Sequence, residues 1–556
     1  MAIRRKTLII TSLVILAVVV LVPPLINPLL EKTLDTYLRE KIEIRQSSPL
    51  YAFSYETLEM NIYKRQITLY NFRMTPRDSV REAFRNGETE ISSLKDLKIS
   101  RVEIEGVVLA NFLWNKHLDI NKIQVDSVAL DLYIDARSKT KPASEPKKGP
   151  TGVSLEGIRL PGMRELTLES FNLDNLTLHQ ILLPSRDTLI KFTSEGGTLE
   201  GVGMKKASET SFFEPELTNL TLILNSEKLD LRENLYSMGF EHLRYTFDSE
   251  DLFIRNLSFQ PREDREVFRK TNRYSYEIYQ GRLKELNILD FNLDDFLNEG
   301  HLYIDKVAAD SLDLEIFRDK TKPFDESRQK LLIHQKMVAQ NFPMRIGSIE
   351  VQNSYLKYSE LSQEGKDPLV VDFSNLELRV ANLTSMTEGL PDSEPLEIEI
   401  KARLDGSIPV DVRVELPYNS NTFTVKGRTE GTSNFTALNK TVLPAIGLQF
   451  TSGRLNGLYF DMRGTPWSLH GNLTLLYEDL KVELHKDDQQ KRKTLSWAAN
   501  TLLKKSNPKP NGHLVVGEIH TERVPYKGLG NYIWKGVQSG ITNSLNPFGK
   551  HKVVKK

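Results

Sequence analysis

Cysteine is absent from all 556 residues of the chain. Disulfide bonds, cysteine-ligated zinc and thiol nucleophiles are therefore excluded. Secreted eukaryotic domains of this size often carry disulfides, so the lack of cysteine favours a bacterial envelope or a reducing compartment. The chain is also too long for one ordinary hydrophobic core, and we expect several domains or one repetitive array.

A surplus of charge of either sign is also lacking, because 74 lysines and arginines balance 74 aspartates and glutamates. Nucleic-acid-binding proteins usually have a basic excess, so no nucleic-acid partner is predicted. Hydrophobic residues make up 39% of the chain, an ordinary share that argues against intrinsic disorder.

Catalytic sequence motifs are missing too. The chain has no GxSxG, no Walker-type phosphate loop, no HExxH and no GxGxxG that opens a helix. Its ten histidines are scattered, and neither His513 nor His520 has neighbours that predict a metal site. We therefore predict no enzymatic activity, no metal site and no cofactor.

One long hydrophobic run is present, close to the N-terminus. Arg4, Arg5 and Lys6 precede a stretch at residues 8–26 that has no charged residue. About nineteen helical residues at ~1.5 Å each span roughly 28 Å, close to the thickness of a bilayer core. The basic cluster predicts a single-pass anchor with a cytoplasmic N-terminus and export of the rest. A cleaved signal peptide is the alternative, but no small-x-small cleavage site follows the run.

Two amphipathic segments are predicted as helices. In the first, leucine or isoleucine recurs every four residues from Leu30 to Ile42, and this helix leads off the membrane surface. The second precedes a basic end, and two interpretations stay open for it. Either its apolar side lies in a membrane interface, or it caps an open end of the β array and hides an edge strand. The membrane-contact candidates are Leu529, Ile533, Trp534, Val537, Ile541 and Leu545.

The central part of the chain contains an internal duplication. HLDINKIQVDSVALDLYID, starting at His117, matches HLYIDKVAADSLDLEIFRD, starting at His301, at eight of nineteen positions. Three more pairs of similar blocks keep the same order, and they start at Leu69 and Ile254, at Arg164 and Gly347, and at Leu217 and Phe373. We predict an anchor with its lead-off helix at 1–49, β repeat units at 50–232 and 233–416, a β segment at 417–488 and a helical tail at 489–556.

Some polar residues recur in both units and are interpreted as structural. His117 and His301 occupy matching positions at the start of a predicted strand. An Asp-Ser pair recurs as well, at 126–127 and at 310–311, and we expect it to bond local backbone.

Apolar and polar residues alternate with a period of two, which is typical of a strand with one apolar face. Short segments between turn-forming residues favour an antiparallel meander. Its apolar face must be covered, either by a second sheet or by acyl chains in an open groove, and the residues alone leave both open. Two chains of about sixteen carbons would gain on the order of 25 kcal/mol at ~0.8 kcal/mol per methylene. The lipid-groove candidates are Val102, Ile104, Leu118, Ile120, Val128, Leu130, Leu132, Leu166, Leu168, Leu220, Leu222, Leu286, Ile288, Leu302, Ile304, Leu312, Leu314, Ile316, Ile349, Val351, Leu376, Leu378, Leu473 and Leu475.

Three features suggest a family. They are the basic and apolar N-terminus, the L-x-N-L-x-L-type strands at Leu217–Leu222 and Phe373–Leu378, and the region Ser452–Leu484. In that region the alternation changes phase between Tyr477 and Leu480, which predicts a bulge or turn. With these features the chain resembles the AsmA-like family of Gram-negative envelope proteins.

The resemblance implies a mainly β protein. Its N-terminal transmembrane helix would lead into an elongated, curved antiparallel sheet with a hydrophobic groove, built from tandem repeats, with short helices and a C-terminal amphipathic helix. The implied location is the bacterial inner membrane, with the bulk of the protein in the periplasm. The implied function is to hold or conduct phospholipids or other acyl-chain ligands and to support outer-membrane lipid homeostasis. Expected partners are such a lipid, the inner membrane and the outer membrane or its proteins. The alternative is a periplasmic scaffold that assembles outer-membrane proteins or envelope complexes.

Overall fold

The computed structural model describes most of the chain, and the predicted anchor at residues 8–26 lies outside the described residues. The chain divides into two compact units, Met1–Glu250 and Asp251–Lys556, which we call unit 1 and unit 2. The described ranges are 27–40, 50–88, 93–107, 117–135, 165–183, 187–206, 213–216, 221–231, 236–292, 302–339, 343–362, 368–387, 394–446, 448–484, 505–545 and 552–555.

Over its described residues, unit 1 is a single sheet with two helices. Helix α1 covers residues 27–40, and helix α2 covers Asp78–Asn86. Its strands are β1 (Tyr51–Ser54), β2 (Thr57–Asn61), β3 (Gln66–Pro76), β4 (Ser93–Glu105), β5 (His117–Asp135), β6 (Glu165–Leu183), β7 (Asp187–Lys206), β8 (Phe213–Glu216), β9 (Thr221–Leu231) and β10 (Tyr236–Thr246). Strands β1 and β2 pair with one edge of β3, and the sheet continues through β4, β5 and β6 to β7. The far edge of β7 pairs with β8 and β9, and β9 pairs with β10.

Unit 2 is a longer sheet in which each strand from β11 to β21 pairs with the next. Its strands are β11 (Asp251–Pro261), β12 (Glu277–Leu289), β13 (Leu302–Asp319), β14 (Met344–Leu361), β15 (Leu369–Thr384), β16 (Leu396–Leu404), β17 (Ile408–Leu416), β18 (Phe423–Asn434), β19 (Leu448–Gly464), β20 (Ser468–Leu484), β21 (His513–Glu522) and β22 (Lys552–Lys555). Its helices are α3 (Arg265–Thr271), α4 (Ile333–Val338), a 3-10 turn at Phe435–Leu438, α5 (Asn439–Ile446) and α6 (Leu529–Leu545). Strand β21 lies inside the tail that was predicted to be helical.

The β-rich class is confirmed, but the expected antiparallel meander is wrong at two places. Strands β5 and β6 are parallel, and so are β13 and β14, which makes the sheet mixed. A parallel pair needs a connection that returns to the same end of the sheet, which a short hairpin loop does not provide. The connections here are residues 136–164 and 320–343, and both contain proline- and lysine-rich sequence.

A row of left-handed residues crosses each sheet. In unit 1, Asn71, Ser127 and Asn175 have φ of 52°, 53° and 52° and interrupt pairing at one level of β3, β5 and β6. Asparagine enters this region at low cost because its short polar side chain bonds locally. The registers of β3–β4, β4–β5 and β5–β6 are the same on both sides of the row, so no strand gains a residue over its neighbour there. The apolar sequence pattern changes phase at the same level, as between Val125 and Val128 of β5. The corresponding residues of unit 2 are Asn256, Ser311, Asn353 and Asn375.

The predicted phase change between Tyr477 and Leu480 is confirmed as a bulge. Asp479 has a φ of 52°, and the pairing of β20 with β19 changes register beside it. The Ser452 hydroxyl of β19 donates to the Asp479 carbonyl oxygen at 2.9 Å.

The recurrent Asp-Ser pairs lie inside strands, at the row of left-handed residues. The Asp126 carboxylate accepts from Arg101 at 3.3 Å. Asp310 accepts from Asn353 at 2.6 Å and from Ser311 at 2.7 Å, and these bonds lower the pKa of Asp310. The partners are thus side chains, and the expected bonding to local backbone is wrong. His117 begins β5, as predicted, whereas His301 lies outside the described residues.

Helix α1 covers one strand edge of unit 1. The Asn27 side chain donates to the Met60 carbonyl at 2.7 Å and accepts from the Ile62 amide at 3.1 Å. Glu31 accepts from the Met60 amide at 3.0 Å. These bonds satisfy backbone groups on the free edge of β2, and such edges otherwise recruit other chains.

Buried side chains concentrate in the second half of unit 2. One large cluster lies between strands β16–β21 and helix α6, and its most buried members include Leu416, Val425, Met462 and Tyr477. Smaller clusters lie under α2 around Phe84 and under α3, where Phe268, Ile278, Phe317 and Leu361 meet.

Candidate functional site

The apolar face of unit 1 forms a continuous row across its strands. Register partners on neighbouring strands share a face, so their side chains lie side by side. One such row crosses eight strands without a polar residue, and all its members except Tyr245 are half-buried. It consists of Met60, Ile67, Ile104, Ile123, Phe171, Leu199, Leu222 and Tyr245.

Unit 2 has a longer row of the same kind, which we call the unit 2 ladder. It crosses every strand from β11 to β21, including the parallel pair, and contains no polar side chain. Its members are Leu252, Ile288, Val307, Ile349, Val380, Ile398, Val414, Val425, Met462, Gly471 and Ile519.

Burial changes abruptly along the unit 2 ladder. Its first six members, from Leu252 to Ile398, are half-buried. Val414 is 2% exposed, Val425 and Met462 are 0% exposed, and Ile519 is 1% exposed. We call the two parts the half-buried segment and the buried segment. They have the same residue chemistry, so the difference lies in what packs on them.

Helix α6 packs on the buried segment at very short range. Its buried side is formed by Tyr532, Gly536, Gly540 and Ser544. A Cβ atom on Gly540 would lie 2.7 Å from Leu473 Cβ, so a larger residue would force the helix away from the sheet. Small residues at four-residue spacing thus allow the helix to seal this part of the apolar face.

Strand β22 pairs with residues 513–516 of β21, and helix α6 satisfies backbone groups further along β21. The Ser539 hydroxyl donates to the His520 carbonyl at 2.8 Å, and the His520 amide donates to Ser539 at 3.2 Å. The Glu518 amide donates to the Asn543 side chain at 3.0 Å. These contacts are the ones expected if α6 caps the β array and hides an edge strand, which is one of the two interpretations of this helix.

The membrane-contact candidates flank the buried side of α6. Trp534 is 58% exposed, and the others are half-buried against the large cluster. A second tryptophan, Trp467 in the β19–β20 turn, is 73% exposed and was not singled out from the sequence. Isolated in a polar turn, it gives no periodic signal.

Most of the predicted lipid-groove candidates are half-buried. Ile120, Leu168, Ile304 and Val351 are buried within the sheet, and Leu473 and Leu475 lie in the large cluster. The side chains of Leu118 and Leu166, and all of Leu220, lie outside the described residues. The half-buried candidates are Val102, Ile104, Val128, Leu130, Leu132, Leu222, Leu286, Ile288, Leu302, Leu312, Leu314, Ile316, Ile349, Leu376 and Leu378.

Two histidines meet on the exposed face of the second half of unit 2. The Nδ1 atoms of His470 and His520 are 3.0 Å apart on the paired strands β20 and β21. They supply two nitrogen ligands, but the described residues hold no group of three side chains that could bind a metal ion. The pairing depends on strand register, which is why the sequence did not show it.

Over the described ranges, none of the helices is both long enough and apolar enough to cross a bilayer.

Comparison of the chain with protein-family models and with curated proteins finds no match.

Proposed function

We propose that this protein holds or conducts phospholipids along a hydrophobic β-groove, as an inner-membrane-anchored periplasmic protein that supports outer-membrane lipid homeostasis. The observation that carries the proposal is the change of burial along the unit 2 ladder. From Leu252 to Ile398 the face is as apolar as the buried segment, yet its side chains remain half exposed. An acyl chain on this surface would complete the burial.

The energetics favour such an occupant. Contiguous apolar surface on a protein usually marks a binding site, because water contact with it is costly. Each methylene of a lipid that leaves water contributes ~0.8 kcal/mol, so no specific polar contact along the chain is required. The proposal includes no catalytic step and no cofactor.

We infer that tandem duplication lengthened this face. Both units place a parallel pair after two antiparallel steps, at β5–β6 and at β13–β14. Left-handed residues recur at matching distances, with Asn256 lying 185 residues after Asn71 and Ser311 lying 184 residues after Ser127. In both units a helix with a buried phenylalanine follows the first matched strand, which is β3 in unit 1 and β11 in unit 2.

The strand registers change part of the predicted alignment between the units. Leu166 lies beside Leu118, and Met344 lies beside Leu302, so Leu166 matches Met344. The sequence pairing of Arg164 with Gly347 is then five residues out of frame. The alternation of β6 changes phase between Leu168 and Phe171, so Leu166 and Leu168 fit the same apolar positions as Phe171 and Leu173. The block at Leu217 enters β9, whereas the topological counterpart of β15 is β7. The unit boundaries at 232 and 416 stay a prediction.

The alternative function, a scaffold for envelope assembly, would use exposed strand edges to recruit partners. The described edge of β2, and the part of β21 that β22 leaves unpaired, are already bonded to side chains of α1 and α6. We therefore give lipid binding priority over assembly.

Charged substitutions on the half-buried face test the proposal. The full-length protein is purified in mild detergent, and its co-purified lipid is quantified by mass spectrometry. Wild-type protein is expected to retain lipid. Leu314→Asp and Leu130→Asp should retain roughly tenfold less, since placing a carboxylate against acyl chains costs more than ~1.4 kcal/mol.

Matched controls place the same kind of change on the opposite face. Asp313→Lys and Ala129→Asp alter exposed neighbours of the two leucines and should leave the lipid content unchanged. If the wild-type protein contains no lipid, or if all four variants retain as much as the wild type, the proposal fails.

A further inference from the structure

The apolar row of β13 ends in cations. Beyond the row of left-handed residues, Leu312, Leu314 and Ile316 alternate along one face of the strand, and Arg318 continues the same alternation. Lys320 comes directly after the end of the strand, two residues beyond Arg318. A half-buried apolar surface therefore leads directly to positive charge within unit 2.

An aromatic ring holds two of the cations together. The Arg318 guanidinium lies 4.7 Å from the centroid of the Phe324 ring, and Lys527 Nζ lies 4.6 Å from it. Tyr526 stacks on the same ring at 5.7 Å. Lys527 belongs to the segment that joins β21 to α6, so two distant parts of the sequence form this cluster.

The nearby carboxylates neutralise only part of the positive charge. Glu277 pairs with Arg318 at 3.1 Å, and Glu360 pairs with Lys320 at 2.6 Å. Lys330 shares Glu277 at 3.7 Å.

The two acids of the adjacent loop accept hydrogen bonds from neutral groups and keep their negative charge. Asp325 bonds Ser327, and Glu326 accepts a hydrogen bond from the Tyr526 hydroxyl at 3.1 Å.

Lys527 has no carboxylate partner within ion-pair distance in the part of the chain that the structure describes. Burial, followed by repulsion from Lys320, Arg318 and Lys535, lowers the pKa of Lys527. A half-buried cation without a counter-ion is unfavourable, and an anionic ligand would offset that cost. A lysine ammonium is a compact charge that suits phosphate oxygens.

We propose that Lys527, together with Lys320 and Lys535, binds the phosphate group of a ligand whose acyl chains lie on the Leu312–Ile316 row. This inference rests on the proposed function and adds the residues that would hold the phosphate of the headgroup. The same chemistry would accept a lipid phosphodiester or free inorganic phosphate, and the experiment separates the two.

The test compares two lipids with the same acyl chains, phosphatidylglycerol and diacylglycerol, together with inorganic phosphate alone. Binding to the full-length protein in neutral detergent is measured with fluorescently labelled lipids, and phosphate binding is measured by calorimetry. The wild-type protein is expected to prefer phosphatidylglycerol by roughly tenfold, the factor expected for one hydrogen bond to a charged group. Lys527→Met should abolish this preference and leave diacylglycerol binding unchanged.

Two controls separate a binding role from a structural one. Lys426→Glu changes an exposed lysine on β18 and should retain the wild-type preference. Lys527→Met should leave thermal stability unchanged or higher, because it removes a repelled charge. If Lys527 had only a structural role, Lys527→Met would lower the thermal stability and weaken the binding of both lipids.

Each outcome is decisive. Equal affinity of the wild-type protein for both lipids, without phosphate binding, overturns the phosphate site and leaves the proposed function standing. Binding of neither lipid overturns the proposed function itself. If inorganic phosphate binds only when Lys527 is present, and the two lipids bind equally well, the site is supported and its ligand is the free ion.

Discussion

The half-buried and buried segments of the unit 2 ladder have the same side-chain chemistry and different surroundings. Ile349 and Val380 in one segment are as apolar as Val414 and Val425 in the other. Helix α6 packs on the buried segment, whereas of the six half-buried members only Val380 and Ile398 contact the large cluster. The comparison teaches that alternation along a strand identifies an apolar face, whereas the elements packed on that face decide whether it is a core or a binding surface.

Aspartate substitutions at two ladder positions test this comparison most directly. Val425→Asp buries an unpaired carboxylate at a fully buried position and should destabilise the protein by about 4 kcal/mol or more. Val307→Asp keeps its carboxylate in contact with water and should cost about 1 kcal/mol. Urea unfolding followed by circular dichroism measures both values. Equal destabilisation would remove the distinction between the segments.

The half-buried segment is stabilised locally by an ion pair under α3. Arg269 Nε lies 2.8 Å from Asp319, and both side chains are largely buried. Asp319→Ala should cost about 3 kcal/mol, since it leaves a buried arginine partly unpaired. Glu266→Ala removes the other carboxylate on Arg269, which is 65% exposed, and should cost about 0.5 kcal/mol at most.

The same pair predicts a pH dependence. Burial by itself would raise the pKa of Asp319, but hydrogen bonds from Thr321 and Arg269 outweigh it and lower the pKa. The stabilisation is complete above the ordinary aspartate pKa of 3.8 and is lost as the pH falls through the lower folded value. The Asp319→Asn variant should not show this loss of stability when the pH is lowered in an acid-unfolding experiment. An unchanged acid-unfolding curve would show that the pair does not contribute.

Alanine substitutions of two helix glycines test the seal over the buried segment. Gly540→Ala brings a methyl group against Leu473 and should destabilise the protein by roughly 1–2 kcal/mol, the usual cost of overpacking. Gly530→Ala meets no atom within 4 Å and should stabilise the protein by up to about 1 kcal/mol through helix propensity. Thermal unfolding of the two variants compares them. If both variants were more stable than the wild type, the close approach of helix and sheet would not be required.

The smallest expected effect concerns His334 in α4, next to the large cluster. Burial lowers the pKa of His334 below its ordinary value of 6.5. The unfolded chain therefore takes up a proton near pH 6.5, whereas the folded protein does so only at lower pH. Stability should fall as the pH decreases below about 7, and His334→Phe should reduce this slope. A slope identical to that of the wild type would contradict the assignment.

Several structural features follow from local sequence. The period of two predicts the strands, and the change of phase at Tyr477–Leu480 predicts the bulge at Asp479. The helical spacing near the C-terminus predicts α6. Each of these depends on residues that are close together in the chain, where backbone geometry leaves few alternatives.

Other features depend on contacts that local pattern does not encode. The two parallel pairs were missed because strand direction is set by where a long connection returns. Strand β21 was missed because the helical spacing of residues 529–545 was extended to the whole tail. The His470–His520 pair and the Phe324 cluster join residues that are far apart in sequence, at 470 and 520 and at 318 and 527.

The sequence by itself determined that this protein has no disulfides and repeats a β pattern with one apolar face. Only the tertiary structure decided which part of that face is sealed. The physical reason is that an apolar side chain gains free energy by leaving water, whichever element or ligand covers it. In the buried segment Gly536 and Gly540 allow a helix to provide that cover, and in the half-buried segment part of each side chain remains accessible.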